Sequence, residues 1–263
     1  MKQMIMLTIL NISATALSAQ QKSILFVMSA ADTLELNQGK KLRQTGVFLN
    51  EFYLAYHAVT NAGYSVDFAT PDGVVATIDN ESLNDNYWKN NLTLKKEAIE
   101  FVEENSSYHH PLSLQEAFQQ KEKYSGLVIP GGQGLMIDLI HDLYIPVLLK
   151  YFASEKKPTG LICHAPSLIS TIPKDKNPYI GFKVNSVSPF EEFVIERFIM
   201  KGIPENRKIA RQLRKMGIKY KQKLPKADFA VKDRNLVTSQ NPYSSQSFNE
   251  LYLEALTEYE GEQ

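Results

Sequence analysis

The sequence predicts an α/β sandwich on a mostly parallel central sheet, and three observations carry that expectation. Continuous apolar runs at 23–29, 126–129 and 160–162 read as strands buried on both faces. Residues 45–62 lie between the first run and a second strand at 65–69 with helical apolar spacing, which gives strand, helix and strand, a parallel βαβ unit. The run ending at Ile162 turns directly into Cys163-His164-Ala165-Pro166, a strand-to-helix corner with proline in its tolerated early position.

The elements justify themselves in order. Val47, Phe48, Phe52, Ala55, Tyr56 and Val59 form the apolar stripe of the first helix, which stops at Gly63. Thr70-Pro71-Asp72-Gly73 closes the next strand as a turn. Residues 74–124 are polar and rich in Asn and Glu, hold the only tryptophan, Trp88, and show helical pieces at 93–104 and 114–123. They read as a helical insertion that caps the sheet. The parallel pattern resumes at 126–129, followed by Pro130-Gly131-Gly132, a helix to about Ala153 and the strand leading to Cys163. Strands near 182–188 and 236–238 and a helix at 245–259 complete the sandwich. No internal repeat or separating linker is visible, so residues 20–263 read as one domain.

Composition narrows the function classes. The chain has 263 residues, 43% hydrophobic, with a formal net charge of zero, enough for one sizeable core and a poor match to a general nucleic-acid binder. A single cysteine excludes an internal disulfide framework and any multi-cysteine metal or iron-sulfur site. Residues 1–19 have one lysine, an apolar stretch from Met4 to Leu10 and small residues near Ala19, the shape of a secretory signal too short to span a membrane. The expected location is therefore periplasmic or secreted, with cytoplasmic as the alternative, and no membrane span after leader removal. Residues 207–226 hold nine Lys or Arg and no acid, yet Ile209, Leu213 and Met216 form an apolar stripe there, so the segment reads as a solvated surface helix.

Candidate chemistry gathers beyond the carboxyl ends of the strands, where open α/β sheets bind ligands. Cys163 at its corner would face the positive end of a helix dipole, which favours thiolate; a free cysteine is equally at home as a small buried hydrophobe. Gly131 and Gly132, with Gln133 and Gly134, permit backbone amides to approach an oxyanion. Glu51 sits among Phe48, Leu49, Phe52 and Tyr53, about two turns into its helix, where burial would keep its carboxyl protonated and able to shuttle a proton. His164 is a general base or an orienting group and needs a third residue to fix its ring, for which Glu191 and Glu192 are best placed. His109 and His110 read as solvated loop residues, and no metal site is expected.

These residues resemble the ThiJ/PfpI family of the class I glutamine-amidotransferase-like superfamily, especially its heat-shock chaperone and glutathione-independent glyoxalase branch. The resemblance is carried by Thr45-Gly46-Val47-Phe48-Leu49-Asn50-Glu51, Phe68-Ala69-Thr70-Pro71-Asp72-Gly73, Pro130-Gly131-Gly132 with Asp138, Ile162-Cys163-His164-Ala165-Pro166, Glu191-Glu192 and residues 236–245. It implies a flavodoxin-like three-layer sandwich, Cys163 as nucleophile, His164 as its partner, Glu51 as the acidic contact to the thiol, Glu192 as the triad carboxylate with Glu191 second, no cofactor and a homodimer. Two positions depart from the family: Gln133 stands where it usually has histidine, and Ser239 where it usually has glycine. A neutral amide can hydrogen-bond a carbonyl but cannot titrate.

The function so implied is a cofactor-independent cysteine enzyme acting on a small carbonyl compound, a 2-oxoaldehyde such as methylglyoxal converted to lactate. The alternatives are an amidase or peptidase using the same nucleophile, and a stress chaperone or thiol redox sensor without turnover.

Overall fold

The structure, a computed structural model, describes residues 22–89 and 91–263, so the leader expected at 1–19 lies outside the described residues. Strand β1 (Ser23–Val27) is followed by a hairpin of β2 (Thr33–Leu36) and β3 (Lys41–Gln44), then helix α1 (Leu49–Asn61) and β4 (Ser65–Thr70). Next come α2 (Leu92–Glu104), α3 (Ser106–His109), β5 (Leu112–Ser113), α4 (Leu114–Gln119), β6 (Tyr124–Ile129), α5 (Tyr144–Ser154) and β7 (Thr159–Ile162). The chain ends with β8 (Lys183–Val184), α6 (Pro189–Val194), α7 (Ile209–Met216), β9 (Lys219–Tyr220), β10 (Ala230–Asp233), β11 (Leu236–Ser239) and α8 (Ser245–Gly261).

Seven strands pair in the order β10-β11-β7-β6-β1-β4-β5, all parallel except β10, which runs antiparallel to β11. From β1 the chain builds outward through β4 and β5, then crosses to β6 and builds the other way through β7 and β11. The order therefore reverses between β1 and β6, and such a switch point opens a crevice at the carboxyl ends of the strands. Helix α1 contacts both α2 and α8, α4 contacts α5, and the turn after β7 contacts α5 and α7. Every residue of β1 and β7 is buried, as strands covered on both faces require.

Glycines on two adjacent strands set how closely α8 approaches. A Cβ at Gly126 would lie 2.5 Å from Tyr252 Oη, and one at Gly160 would lie 2.6 Å from Phe248 Cζ. These flat positions receive the Phe248 and Tyr252 rings, stacked at 5.7 Å between centroids.

Several expectations are corrected. The first helix begins at Leu49, not at Thr45, because Val47 pairs with Ile78 in extended conformation and Phe48 N–H donates to Gly131 O. The run at 182–188 yields only β8, which pairs with β9 in a separate two-stranded sheet. Between Gly134 and Tyr144 the chain makes short 3-10 turns instead of one long helix. The insertion at 74–124 is more than a cap: it contributes edge strand β5, and its Tyr87 faces the crevice. Among the described residues no helix is long and apolar enough to cross a membrane.

Gly160→Ala is expected to lower stability by about 1–3 kcal/mol through overpacking against Phe248. Thermal melts should show a loss of roughly 2–10 °C for a domain of this size. An unchanged melting temperature would show that α8 can move away from the sheet.

Candidate active site

Strand β7 ends at Ile162, and the chain turns at Cys163 with φ of 57°. A side chain in this left-handed region costs about 1–3 kcal/mol and persists only where its surroundings over-determine it. Here Cys163 N–H donates to Ser239 O at 2.9 Å, and Val187 N–H donates to Cys163 O at 2.9 Å, clamping the corner from both sides. The segment that follows is a 3-10 stretch, Ala165–Thr171, in place of the expected α-helix. The thiol therefore lacks the long aligned dipole that the sequence suggested, and burial together with the nearby carboxyl of Glu51 pushes it well above its ordinary range.

Glu51 lies in the first turn of α1 and is buried, which corrects the placement two turns in. Because the helix starts late, this carboxyl points at the switch-point crevice. Gly131 N–H donates to Glu51 Oε2 at 3.1 Å while Gly131 O accepts from Phe48 N–H at 3.1 Å, so the loop after β6 and the entry to α1 are zipped together. A Cβ at Gly131 would collide with Glu51 Oε2 and lie 2.8 Å from Cys163 Cβ, so only glycine lets the carboxyl and the thiol share this space. Among the described residues no nitrogen or oxygen donor reaches Glu51 Oε1, which leaves the Cys163 thiol as the neighbour of this carboxyl. Burial raises the Glu51 pKa from 4.5 to about 8, with contact to Cys163 and the Gly131 amide holding it from rising further. Glu51 is thus protonated at neutral pH, in contrast to an exposed helix carboxylate.

Gly131 N–H is spent on Glu51 and is no oxyanion donor, contrary to expectation. Gly132 lines the pocket, its φ of 117° suits glycine, and a Cβ there would press on Gly46 O and Phe48 N. Asp138 fixes the same loop, its Oδ2 accepting from Ser29 Oγ and from the Ala30 and Ala31 amides at 2.7–3.0 Å.

His164 faces the thiol, with Nδ1 at 3.3 Å from Cys163 Sγ, and its Nε2 lies 2.8 Å from Gln133 Nε2. Burial drives its pKa down to about 4, so the ring is neutral. In this pose the Gln133 amide donates to Nε2, which leaves the Nδ1 proton facing sulfur. Turned over, the amide would accept from Nε2–H and leave an Nδ1 lone pair facing the thiol.

Neither expected carboxylate reaches His164. Glu192 Oε1 accepts from Lys208 N–H at 2.8 Å and caps the start of α7, with burial raising its pKa to about 7. Glu191 belongs to a capping box with Ser188 and also accepts from Gln240, Asn241 and the Lys226 amide. The assignment of Glu192 as the group orienting His164 is therefore corrected: Gln133 holds the ring, and Glu191 and Glu192 brace the pocket wall and α7. His109 and His110 bond backbone carbonyls of Glu103 and Ser106, and among the described residues no cluster of His, Cys, Asp or Glu could hold a metal.

Cys163, His164, Gly132 and Gln133 form the floor of a pocket of ≈ 230 Å³. Sequence reasoning missed its walls. Arg43, Asp79, Glu81 and Tyr87 come from the hairpin and the insertion, and Phe190, Val194, Ile195 and Ile199 from α6 and its continuation, brought in by long-range packing that no local pattern announces.

A protein-family model described as ThiJ/PfpI family-like matches residues 42–177. The chain is 24% identical over 198 residues to the glutamine amidotransferase-like class 1 domain-containing protein 1 of Xenopus laevis, covering 75% of this chain and 78% of that one. It is also 24% identical over 151 residues to the protein/nucleic acid deglycase HchA of Pseudomonas aeruginosa, spanning 55% of this chain and about half (51%) of that protein. The fold is similar to the Rapid Encystment Protein 24 kDa of Francisella tularensis, with a TM-score of 0.75, 20% identity, and 90% and 99% of the two chains covered. Glyoxalase III of Candida albicans gives 0.73, 20%, and 90% and 98%. At this identity the structural likeness carries the fold, the flavodoxin-like α/β sandwich the sequence suggested.

Between pH 4.5 and about 8 folded Glu51 keeps a proton that the unfolded chain releases, so stability falls as pH rises through that window. Glu51→Gln removes this titration. Its melting temperature should match the parent near pH 4.5 and exceed it at pH 8 by on the order of 10 °C, since the shift is worth roughly 4 kcal/mol. A variant less stable than the parent at pH 8 would contradict the buried acid. Gln133→Glu supplies the missing carboxylate and should raise the His164 pKa above about 4, read by imidazole NMR titration; an unmoved titration would show that residue 133 does not govern the ring.

Proposed function

The chain belongs to the ThiJ/PfpI-like family, and on that premise we propose that it is a cofactor-independent cysteine enzyme converting a small 2-oxoaldehyde to a 2-hydroxy acid. The observation that carries this reading is the carboxyl of a buried Glu51 set against the Cys163 thiol. Relatives named as a deglycase and a glyoxalase III support the reaction class.

The residues divide the work as follows. Ionised Glu51 takes the thiol proton as Cys163 sulfur adds to the aldehyde carbon, and that proton passes to the former aldehyde oxygen to give a hemithioacetal. In this scheme the amide of Gly132, which lines the pocket, stabilises the oxyanion. Glu51 then removes the C1 proton and returns it at C2 while the proton on the C1 hydroxyl moves to the C2 oxygen, so the ketone carbon is reduced to an alcohol and C1 is oxidised to a thioester. Water cleaves the thioester, releasing the acid and the thiol. The net change is addition of one water, with no external oxidant or reductant.

Neutral His164 serves as a hydrogen-bonding partner to sulfur in this scheme and Gln133 as the group that holds it. Peptide or amide hydrolysis would ask His164 to become an imidazolium and protonate a leaving amine, and with its pKa near 4 and no carboxylate behind it the ring is poorly suited to that.

Incubation with methylglyoxal and no glutathione should yield lactate, and Cys163→Ala should abolish it; full activity in that variant would refute the scheme. Because the carboxylate is the active form of Glu51, kcat/KM should rise with pH through about 8, and Glu51→Gln should lower it about 10²–10⁴-fold and flatten the profile. A profile governed instead by a group titrating near 4–6 would place the proton transfer elsewhere.

A further inference from the structure

The pocket above Cys163 divides its chemistry by depth. Its floor is polar: the thiol, the Gly132 amide and the His164–Gln133 pair. Its walls are apolar, and the charged groups set into them are already engaged. Arg43 pairs with Asp79 at 3.8 Å, and Glu81 accepts from Tyr87 Oη at 2.9 Å. Glu191 holds Ser188, Gln240, Asn241 and the Lys226 amide, and the Lys226 ammonium lies over the Tyr243 ring at 5.8 Å.

What remains to meet a ligand is hydrocarbon and aromatic surface. On one side Phe48 meets Tyr87 edge to face at 4.9 Å, and Tyr87 meets Tyr243 at 5.7 Å. On the other, α6 runs into a π-helical turn, Ile195–Ile199, and Ile195 and Ile199 both line the pocket. Widened turns of this kind recur at functional sites. At this wall Phe190 leaves 61% of its surface exposed, an apolar group held in place by the capping box at Ser188 and Glu191 rather than by burial of its own ring.

A dicarbonyl head bound at the floor leaves most of the ≈ 230 Å³ to the substituent on its ketone carbon. The methyl group of methylglyoxal would leave that apolar space wet. An aromatic or branched group would displace the water and contact both walls, a gain roughly proportional to the apolar area covered.

We propose that this enzyme's substrate is a 2-oxoaldehyde bearing an aromatic or branched apolar group on the ketone carbon, with the wall of Phe48, Tyr87, Phe190, Ile195 and Ile199 setting that preference. The proposal rests on the cysteine-dependent oxoaldehyde chemistry proposed above and adds the substituent. For phenylglyoxal the balanced reaction is addition of one water to give mandelate, the ketone carbon reduced and the aldehyde carbon oxidised within the same molecule.

The test compares initial rates with phenylglyoxal and with methylglyoxal, following mandelate and lactate, for the parent, Cys163→Ser and Phe190→Asp. Cys163→Ser corrects for direct reaction of the aldehydes with arginine side chains. One apolar group in a hydrophobic pocket is worth about 10–200-fold in discrimination, so kcat/KM for phenylglyoxal should exceed that for methylglyoxal by at least about tenfold, mainly through KM. Phe190→Asp, at an exposed position that folding tolerates, should shrink this ratio by about threefold or more. Equal or better turnover of methylglyoxal, or a ratio untouched by Phe190→Asp, overturns the substrate class and leaves the cysteine chemistry standing. Absence of Cys163-dependent turnover of either compound overturns both.

Discussion

The site depends on one contact, a carboxyl and a thiol buried together over Gly131. A buried cysteine alone is an ordinary core residue and a buried glutamate is a rare one; together they share a water-poor space in which neither ionises easily, and the carboxyl ionises near pH 8. Much of the surrounding structure serves this contact. The strand order reverses beside it, the late start of α1 aims Glu51 into the crevice, and the absence of a side chain at Gly131 opens the space. The strained Cys163 corner is pinned by Ser239 and Val187 so that the thiol meets the carboxyl.

This arrangement shifts the acid-base role away from histidine. In a triad, a carboxylate behind the ring stabilises the imidazolium formed during catalysis. Here the group behind His164 is an amide, and an amide can serve either neutral tautomer but cannot compensate a positive charge. Glu51 is consequently the group poised to exchange a proton with sulfur near neutral pH. The proton transfer between adjacent carbons that we propose needs a single acid-base group, the role proposed for Glu51.

The sequence made the sheet legible because strands buried on both faces are continuous apolar runs, and the Cys163 corner stood out because a lone cysteine followed one of them. Glu51 was legible from its apolar neighbours. Its exact depth in the helix was not, since α1 starts at Leu49 only because Val47 is drawn into pairing with Ile78, a partner 31 positions away. Glu192 misled because adjacency to Glu191 at a helix start gives both residues the same local signature. Which one faces the site, caps α7 or braces 240–241 is decided by segments folded from elsewhere. The residues at 182–188 have strand composition yet lie outside the main sheet, because β11 takes the place beside β7. Tyr87, Phe190 and Ile199 share no sequence pattern; only tertiary packing makes them one cavity.

The most direct test of the central claim is a carbon-13 NMR titration of the Glu51 side-chain carboxyl in the folded protein, assigned with Glu51→Gln. A midpoint near 8 that rises further when Cys163 is replaced by alanine, which removes the thiol hydrogen bond to the carboxylate, would show that the buried carboxyl and thiol are coupled. A midpoint near 4.5, indifferent to residue 163, would mean that Glu51 is an ordinary carboxylate at neutral pH and that the proton transfers belong to another group.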